Sequence, residues 1–182
     1  MATTDITKVV SVPGRLVKDP TSLAGSYPYG GTSLGAIRAA MAIPDYRYAP
    51  VEVDEWGGEA SDLLYLGASW KFLCVFRGLD YDATGAVFPN TSASGGYRNL
   101  THPGTVEPGT LLASTAIKLL FVPDDVTTAE AVYFPRAIPF LAKECELQQH
   151  HDAVREFAAG FLAIRTSGGP AVTVALLSRI TL

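Results

Sequence analysis

The run from Trp70 to Arg77 constrains the fold more than any other part of the sequence. Its side chains alternate between two faces of an extended strand, with Trp70, Phe72, Cys74 and Phe76 on one and Lys71, Leu73, Val75 and Arg77 on the other. The second face is charged only at its ends. We therefore expect a strand that is buried fully on one face and at its centre on the other.

Other segments also favour strands. Residues 8–18 alternate imperfectly around Pro13-Gly14, which indicates an edge strand with a kink. Residues 51–55 alternate between valine and acid, and residues 115–122 form an apolar run that Pro123 closes. Residues 171–182 interleave β-branched and polar side chains and predict a final strand. The chain is thus expected to be mainly β.

Two segments fit both a helix and a strand. In residues 33–43 the positions Leu34, Ile37, Ala40 and Met41 fit a helix, although Gly35 and Pro44 bound it awkwardly. Residues 153–165 fit a helix as well, but they also alternate, and Gly160 in their middle costs a helix about 1 kcal/mol relative to alanine. Periodicity alone does not decide either case.

The composition indicates that the surface of the isolated chain carries few charges and is partly apolar. The chain has 182 residues, of which 48% are apolar and 18% are charged, whereas a soluble domain carries about 25% charged residues. We expect part of the surface to be buried against other copies or partners, the alternative being an unusually large core. No break in composition divides residues 1–182, so we predict a single domain with an N-terminal arm at 1–30 and a long Gly/Pro-rich loop at 89–109.

The charge distribution argues against a protein that grips nucleic acid. The net charge is −4, and no Lys/Arg cluster is present to neutralise phosphates. Acidic residues concentrate between positions 45 and 62, where Arg47 is the one basic residue. A solvated face explains this segment better than a charge-specific site.

The search for chemistry finds no catalytic, cofactor-binding or metal-binding residues. Gly30 to Gly35 match neither a dinucleotide fingerprint nor a P-loop, so a tight turn is the preferred interpretation. Cys74 and Cys145 lack the spacing of a zinc or redox pair, and His150-His151 complete no ligand set. No G-x-S-x-G motif supplies a nucleophilic serine that His102 could activate. We predict that the protein is not an enzyme and needs no cofactor.

The sequence also predicts folding in a cytoplasm without a membrane anchor. No apolar run approaches the roughly 20 residues that span a bilayer. The first residues, Met1 to Ile6, lack a basic region followed by an apolar stretch.

The order of these motifs resembles the tail tube proteins of long-tailed bacteriophages. The resemblance rests on Gly31 to Gly35, the acidic run Val51 to Glu55, Gly67 and the apolar strand 70–79. Residues 131–139, 156–161, Gly168-Gly169 and the last strand are similar to the closing hairpins of that family, so the likeness covers roughly residues 28–182. Residues 36–40 depart from the expected polar turn, and the long 89–109 loop leaves open a neck, adaptor or tube-initiating relative.

The resemblance implies an antiparallel β-sandwich or barrel with one short α-helix, which oligomerises into a hexameric ring with a shared inner β-barrel. Stacked rings form the tail tube, other virion tail proteins bind them, and genomic DNA passes through the lumen without specific binding. The protein would be assembled in the host cytoplasm and reside in the virion. The family comparison favours a strand at 153–165, and we place the short helix at Tyr81–Val87.

A capsid-decorating or host-binding β-sandwich module is the competing hypothesis, and a small enzyme on a β-barrel is a third. Loops 19–33 and 89–109 distinguish the tail tube protein from the binding module. A tube would bury these loops between stacked copies, whereas a binding module would expose them.

Overall fold

A computed structural model of the chain describes residues 13–52, 60–78, 81–88, 92–94, 97–99, 111–140, 156–165 and 167–182. These residues are mainly β, as predicted. The strands are β1 Gly14–Lys18, β2 Thr32–Glu52, β3 Ala60–Phe76, β4 Ser92–Ser94, β5 Tyr97–Asn99, β6 Ile117–Pro123, β7 Ala131–Phe140, β8 Phe157–Ala163 and β9 Thr173–Ala175. The short helix α1 spans Tyr81–Val87, which confirms the predicted position, and 3-10 turns cover Leu112–Thr115 and Leu177–Arg179.

The strands pair antiparallel in one large sheet. Its order is β6-β1-β2-β3-β8-β7-β9, and β6 also pairs with β7. Six strands therefore pair in a closed circuit, with β9 attached to the outer edge of β7, while β4 and β5 form a separate small hairpin. A closed circuit satisfies the backbone N–H and C=O groups that open sheet edges would leave exposed.

The first ambiguous segment, 33–43, is a strand within β2. The register between β1 and β2 skips Leu34, and the register between β2 and β3 skips Arg38, so β2 carries an extra residue at each place. Each extra residue changes which face the following side chains occupy. Leu34, Ile37 and Ala40 therefore all point into the core, at a spacing of three that resembles a helix. The second segment is also a strand, β8.

The predicted edge strand at 8–18 was wrong in its position in the sheet. β1 lies between β2 and β6, and residues 8–12 are outside the described part of the chain. Pro13 precedes the strand, and its carbonyl accepts a hydrogen bond from the Asp124 N–H at 3.0 Å. A Cβ on Gly14 would lie 2.4 Å from the Val122 carbonyl oxygen, so this glycine permits close strand approach rather than marking a kinked edge.

The other predicted strands differ from the observed strands at their ends. The apolar run 115–122 contains β6, which begins at Ile117, shortly after a 3-10 helix that ends at Thr115. The final strand is shorter than predicted, since β9 ends at Ala175 and a 3-10 turn follows. β2 ends at Glu52, so the rest of the predicted 51–55 strand lies outside the described residues.

The inner core is aromatic and centred on Phe72. Its ring centroid lies 6.0 Å from that of Phe121, 5.2 Å from that of Phe134 and 6.5 Å from that of Phe161. The alternation predicted for 70–77 is confirmed: Phe72, Cys74 and Phe76 are buried, Leu73 and Val75 are half-buried, and Lys71 and Arg77 are exposed.

A second cluster covers the opposite face of β1, β6 and β7. Its buried members are Val17, Leu120, Val122, Ala131, Tyr133 and Ile180. Leu23 and Tyr29 from the loop between β1 and β2, together with Leu177 and Leu182 near the C-terminus, pack against it. This outer cluster explains why β6 is buried on both faces.

The glycine-rich segment forms the predicted turn only at Gly30 and Gly31, whereas Thr32 to Gly35 already belong to β2. Tyr29 and Gly30 have φ angles of 58° and 71°, a region that glycine adopts without steric cost. The Tyr29 carbonyl accepts hydrogen bonds from the N–H groups of Thr21 and Ser22, and the Gly31 N–H donates to the Pro28 carbonyl. These hydrogen bonds lie within the β1–β2 loop and fix its conformation.

Candidate functional site

The hairpin of β2 and β3 extends past its neighbouring strands. Pairing of β1 with β2 ends at Ile37, and pairing of β8 with β3 ends at Trp70. From there the register continues between β2 and β3 alone, through Pro50 opposite Leu63 to Glu52 opposite Ala60. Residues 43–52 and 60–69 are named the projecting hairpin, and its ten-residue strand in β2 corresponds to about 30 Å of extended chain.

Three tyrosines share one face of the projecting hairpin. Tyr48 lies directly opposite Tyr65, and Tyr46 is two residues before Tyr48 on the same face. The ring centroids are 5.8 Å apart for Tyr48 and Tyr65, 6.4 Å for Tyr46 and Tyr48, and 6.5 Å for Tyr46 and Tyr65. These three residues are named the tyrosine cluster. They are 49%, 53% and 56% exposed in the order 46, 48 and 65.

A glycine sets the alignment of this cluster. The register between β2 and β3 shifts between Arg47 and Tyr48, where the opposite partners change from Gly67 to Tyr65. Gly67 has a φ of 130°, a conformation that side chains with a Cβ rarely adopt. The shift skips Leu66 and puts Tyr65 on the face that carries Tyr48.

The tyrosine face continues the inner core. At the root of the hairpin Pro44 lies opposite Trp70, and Trp70 packs against the inner core cluster that contains Phe72. Towards the tip, Leu63 lies opposite Pro50 and is 60% exposed. The opposite face mixes apolar and charged residues, namely Asp45, Arg47, Ala49, Val51, Asp62 and Leu64. The face of the hairpin that carries the tyrosines therefore continues the core-facing side of β2 and β3. It extends past the point where other strands of the sheet cover that side.

This exposure is large enough to matter. An aromatic residue offers about 150–250 Å² for burial, so three half-exposed tyrosines present about 300 Å². Exposed apolar patches of a few hundred Å² are often functional, and a neighbouring exposed leucine extends this one. The projecting hairpin is the candidate functional site, and its geometry is suited to packing against protein.

A second surface feature is a pocket on the outer cluster. This pocket of about 480 Å³ is lined by Leu23, Ala24, Gly25, Tyr29, Val126, Leu177, Ser178 and Ile180. Its lining comes from the β1–β2 loop, the turn between β6 and β7, and the C-terminal 3-10 segment. None of these lining residues is charged, and the side-chain polar groups are the hydroxyls of Tyr29 and Ser178.

The turn that carries Val126 to the pocket is fixed by a carboxylate. Asp125 accepts hydrogen bonds from the hydroxyl and N–H of Thr127 at 2.6 and 3.0 Å, and from the hydroxyl and N–H of Thr128. These bonds, the Thr127 hydroxyl foremost, lower the pKa of Asp125 from 3.8 to about 2. The ionised carboxylate therefore stabilises the pocket rim.

Of the cysteine and histidine residues considered for chemistry in the sequence, only Cys74 lies in the described part of the chain. Cys74 is buried in the inner core, and His102, Cys145, His150 and His151 lie outside the described residues. Across the described part of the chain, no three His, Cys, Asp or Glu side chains are grouped so that they could hold a metal ion. No described helix is long and apolar enough to cross a membrane. The expectation of no enzymatic role stays a prediction.

Sequence reasoning missed both surfaces. It interpreted residues 45–62 as a solvated acidic face, and Asp45 and Asp62 do lie on the mixed face of the hairpin. Along the hairpin the three tyrosines lie between Asp45 and Asp62, but their side chains are on the other face of the ribbon. The alternation of Tyr46 and Tyr48 was a usable signal, but the position of Tyr65 depends on the register shift at Gly67. The pocket joins three distant segments and had no local signal.

No family model matches this chain, and no curated protein matches its sequence. The fold, the projecting hairpin and the pocket are therefore the observations from which its function is inferred.

Proposed function

We propose that this chain is a virion structural protein that assembles into stacked rings and forms the tail tube of a long-tailed bacteriophage. The observation that carries the proposal is the projecting hairpin with its exposed tyrosine cluster. A monomer has no use for an exposed aromatic face on a hairpin that extends past its neighbouring strands. A subunit of an assembly uses such a face to pack against its neighbour.

The fold supports a sandwich or barrel as the building block. Six strands pair in a closed circuit around an aromatic core, while β2 and β3 continue beyond it as a two-stranded ribbon. Ribbon edges are templates for strands of another copy. Six copies joined in this way would close into the hexameric ring with a shared inner β-barrel that the sequence resemblance implies.

The charge supports a passive conduit. The chain carries a net charge of −4, and DNA slides past surfaces that do not neutralise its phosphates. Genomic DNA would pass through the lumen during ejection without specific binding. The partners are then other copies of this chain and other tail proteins of the virion, without a catalytic step.

The proposal is tested by determining the mass and shape of the purified protein. Light scattering behind size exclusion and negative-stain microscopy over a wide concentration range should reveal six-copy rings that stack into tubes. A protein that stays a 19.3 kDa monomer at every concentration would overturn the proposal.

Two related functions give different results in the same experiment. Rings that never stack would favour a neck, adaptor or tube-initiating protein. A monomer that binds purified capsids or host cells would favour a capsid-decorating or host-binding module. Cryo-electron microscopy of any ring would then identify which residues face the lumen.

A further inference from the structure

We propose that the edge of β2 at residues 38–43 is a strand-addition site, and that residues 9–12 of the same chain occupy it. Residues 1–12 lie outside the described part of the chain, so the site is defined by β2 and by Pro13. The pairing would form within a single copy, whatever assembly the chain builds, and it therefore goes beyond the proposed function.

Between residues 38 and 43, β2 has a neighbouring strand on one side only. Its pairing with β1 ends at Ile37, whereas its pairing with β3 continues through these residues. Among the strands of the described residues, none lies opposite the second edge. An open edge of this kind is a template for a further strand.

The backbone of Ala40 and Ala42 faces the open edge. The Ala36 carbonyl faces β3, because it accepts a hydrogen bond from the Arg77 N–H at 3.0 Å. Alternation along β2, interrupted by the extra residue Arg38, turns the N–H and C=O groups of Ala40 and Ala42 away from β3. Both alanines are buried, at 3% and 8% exposure, and a buried N–H needs a hydrogen-bond partner.

Pro13 directs the preceding residues towards this edge. Its carbonyl faces β6, because it accepts a hydrogen bond from the Asp124 N–H at 3.0 Å. In an extended chain the N–H and C=O of one residue point to the same side, so the missing N–H of Pro13 also faces β6. The proline therefore interrupts no bond to β2, and by alternation the backbone groups of Val12 and Val10 would face β2.

The register of the added strand follows from that of β1. Gly14 lies opposite Ile37, and the extra residue of β2 comes directly after Ile37. Continuing the antiparallel pairing past this bulge puts residues 9–12 opposite residues 40–43. The pairs whose backbone groups face each other are Val12 with Ala40 and Val10 with Ala42.

The inward side chains suit this register. Gly14 lies on the face of the inner core, since a Cβ there would be 2.8 Å from the Phe121 ring. Alternate residues of a strand share a face, so Val12 and Val10 would also point inward. Their neighbours on β2 are alanines, which leave room for β-branched side chains.

The outward side chains and the end of the segment also fit. Ser11 and Val9 would lie on the outer face beside Met41, which is 41% exposed. Lys8 would be the next inward residue, and an unpaired lysine is not buried in an apolar core. The added strand therefore ends at Val9, level with the start of the projecting hairpin.

An occupied edge would restrict how copies of the chain meet. Open sheet edges pair with strands of other chains and so promote aggregation. Once its own chain covers residues 38–43, the projecting hairpin is left as the unpaired ribbon of the described residues.

The test introduces a proline on either side of the added strand in the full chain. Val10→Pro removes an N–H that would face β2. Ser11→Pro is the matched control, because it removes an N–H that would face away from β2, where edge strands tolerate proline. Amide hydrogen exchange, followed by NMR at Ala40 and Ala42, reports whether the edge is covered.

We expect slow exchange at both alanines in the wild type and in Ser11→Pro. Exchange should be at least about tenfold faster in Val10→Pro, because protection of an amide reflects the stability of its local pairing. Amides where β3 pairs with β8 should exchange equally in all three proteins, which shows that the fold is intact. Fast exchange at the alanines in the wild type, or equal rates in the two proline variants, would overturn the inference.

A mixture of isotope-labelled wild type and unlabelled Val10→Pro identifies which chain supplies the strand. Mass spectrometry measures exchange at residues 38–43 separately for the two chains. Protection that stays with the labelled wild type supports pairing within one chain. Protection that is transferred to Val10→Pro chains would assign the edge to a second copy and overturn the inference.

Discussion

Gly14 in β1 lies close to the Val122 carbonyl of β6. A Cβ at this position would be 2.4 Å from that oxygen and 2.8 Å from the Phe121 ring. The oxygen belongs to a paired strand and the ring is buried in the inner core, so neither has room to move. The position therefore has to be glycine for packing reasons, whatever its backbone conformation.

Gly14→Ala should lower the free energy of unfolding by about 1–3 kcal/mol, the usual cost of overpacking a core. Urea unfolding followed by fluorescence measures the change. Gly25→Ala is the control, because a Cβ there meets nothing within 4 Å. Equal stability of the two variants would contradict the interpretation of Gly14.

Asp125 predicts a specific pH dependence. Its pKa is about 2 in the folded protein and 3.8 without the threonine hydrogen bonds, so its stabilising contribution is present above about pH 4 and is lost as the pH falls towards 2. The stability difference between the wild type and Asp125→Asn should therefore be largest near about pH 6 and shrink towards pH 2.

Chemical denaturation at a series of pH values measures this difference. Asp124→Asn removes the same charge from the neighbouring position and leaves the hydrogen bonds to Asp125 intact, so it is the charge-matched control. A gap for Asp125→Asn that stays constant down to pH 2 would show that the hydrogen bonds do not hold the carboxylate ionised.

At the scale of the element, the projecting hairpin depends on one backbone angle. Gly67 has a φ of 130° and open space around it, so a Cβ would be strained by the backbone alone. The register shift beside it aligns Tyr65 with Tyr48. A relaxed register would turn Tyr65 to the mixed face of the hairpin, because a shift of one residue exchanges the faces of a strand.

Gly67→Ala should therefore weaken assembly strongly and leave the inner core intact. The local strain is about 1–3 kcal/mol, and the hairpin can relieve it by losing the bulge. Light scattering should show a shift towards monomer, while near-ultraviolet circular dichroism keeps the signal of the buried aromatic residues. Gly78→Ala, also in open space but without positive φ, should assemble normally.

Elements whose pattern is local could be predicted from the sequence. β3 follows from the alternation of Phe72, Cys74 and Phe76, and α1 was placed at its observed residues. Strand 33–43 could not be assigned, because its two extra residues give the inward side chains a helical spacing. The central position of β1 was missed for a similar reason, since Pro13-Gly14 suits both an edge and a close approach of strands.

The candidate site was less accessible to prediction than the fold. Tyr46 and Tyr65 are 19 positions apart and meet only through the long pairing of β2 with β3. The pocket brings Leu23, Val126 and Leu177 together from three separate connections. The low charge content did predict that some surface would be covered by a partner, and that prediction still awaits an assembly measurement.

At the scale of the whole molecule, the proposed contacts are apolar, and this sets their response to salt. Raising NaCl from about 0.1 M to about 1 M screens ion pairs but leaves hydrophobic contacts in place. Assembly should therefore be unchanged or stronger at the higher salt concentration, as measured by sedimentation velocity. Dissociation of rings at high salt would instead indicate a contact held by charges.

The acidic chain should also pass DNA without holding it. Fluorescence anisotropy with labelled duplex DNA should show no binding at about 0.1 M salt, because no basic cluster releases counterions. Bovine serum albumin, also acidic, is a suitable negative control, and a basic DNA-binding protein is the positive one. Binding with a steep dependence on salt would exclude the passive conduit.

The continuity of β2 from the core to the hairpin tip has a mechanical consequence. A neighbour that pulls on the tip loads β2 and β3 along their own axes, while their backbone bonds to β1 and β8 run perpendicular to that axis. The load then acts in shear on many bonds at once instead of peeling them one by one. A chain built this way would resist extension along the axis of an assembly under internal pressure.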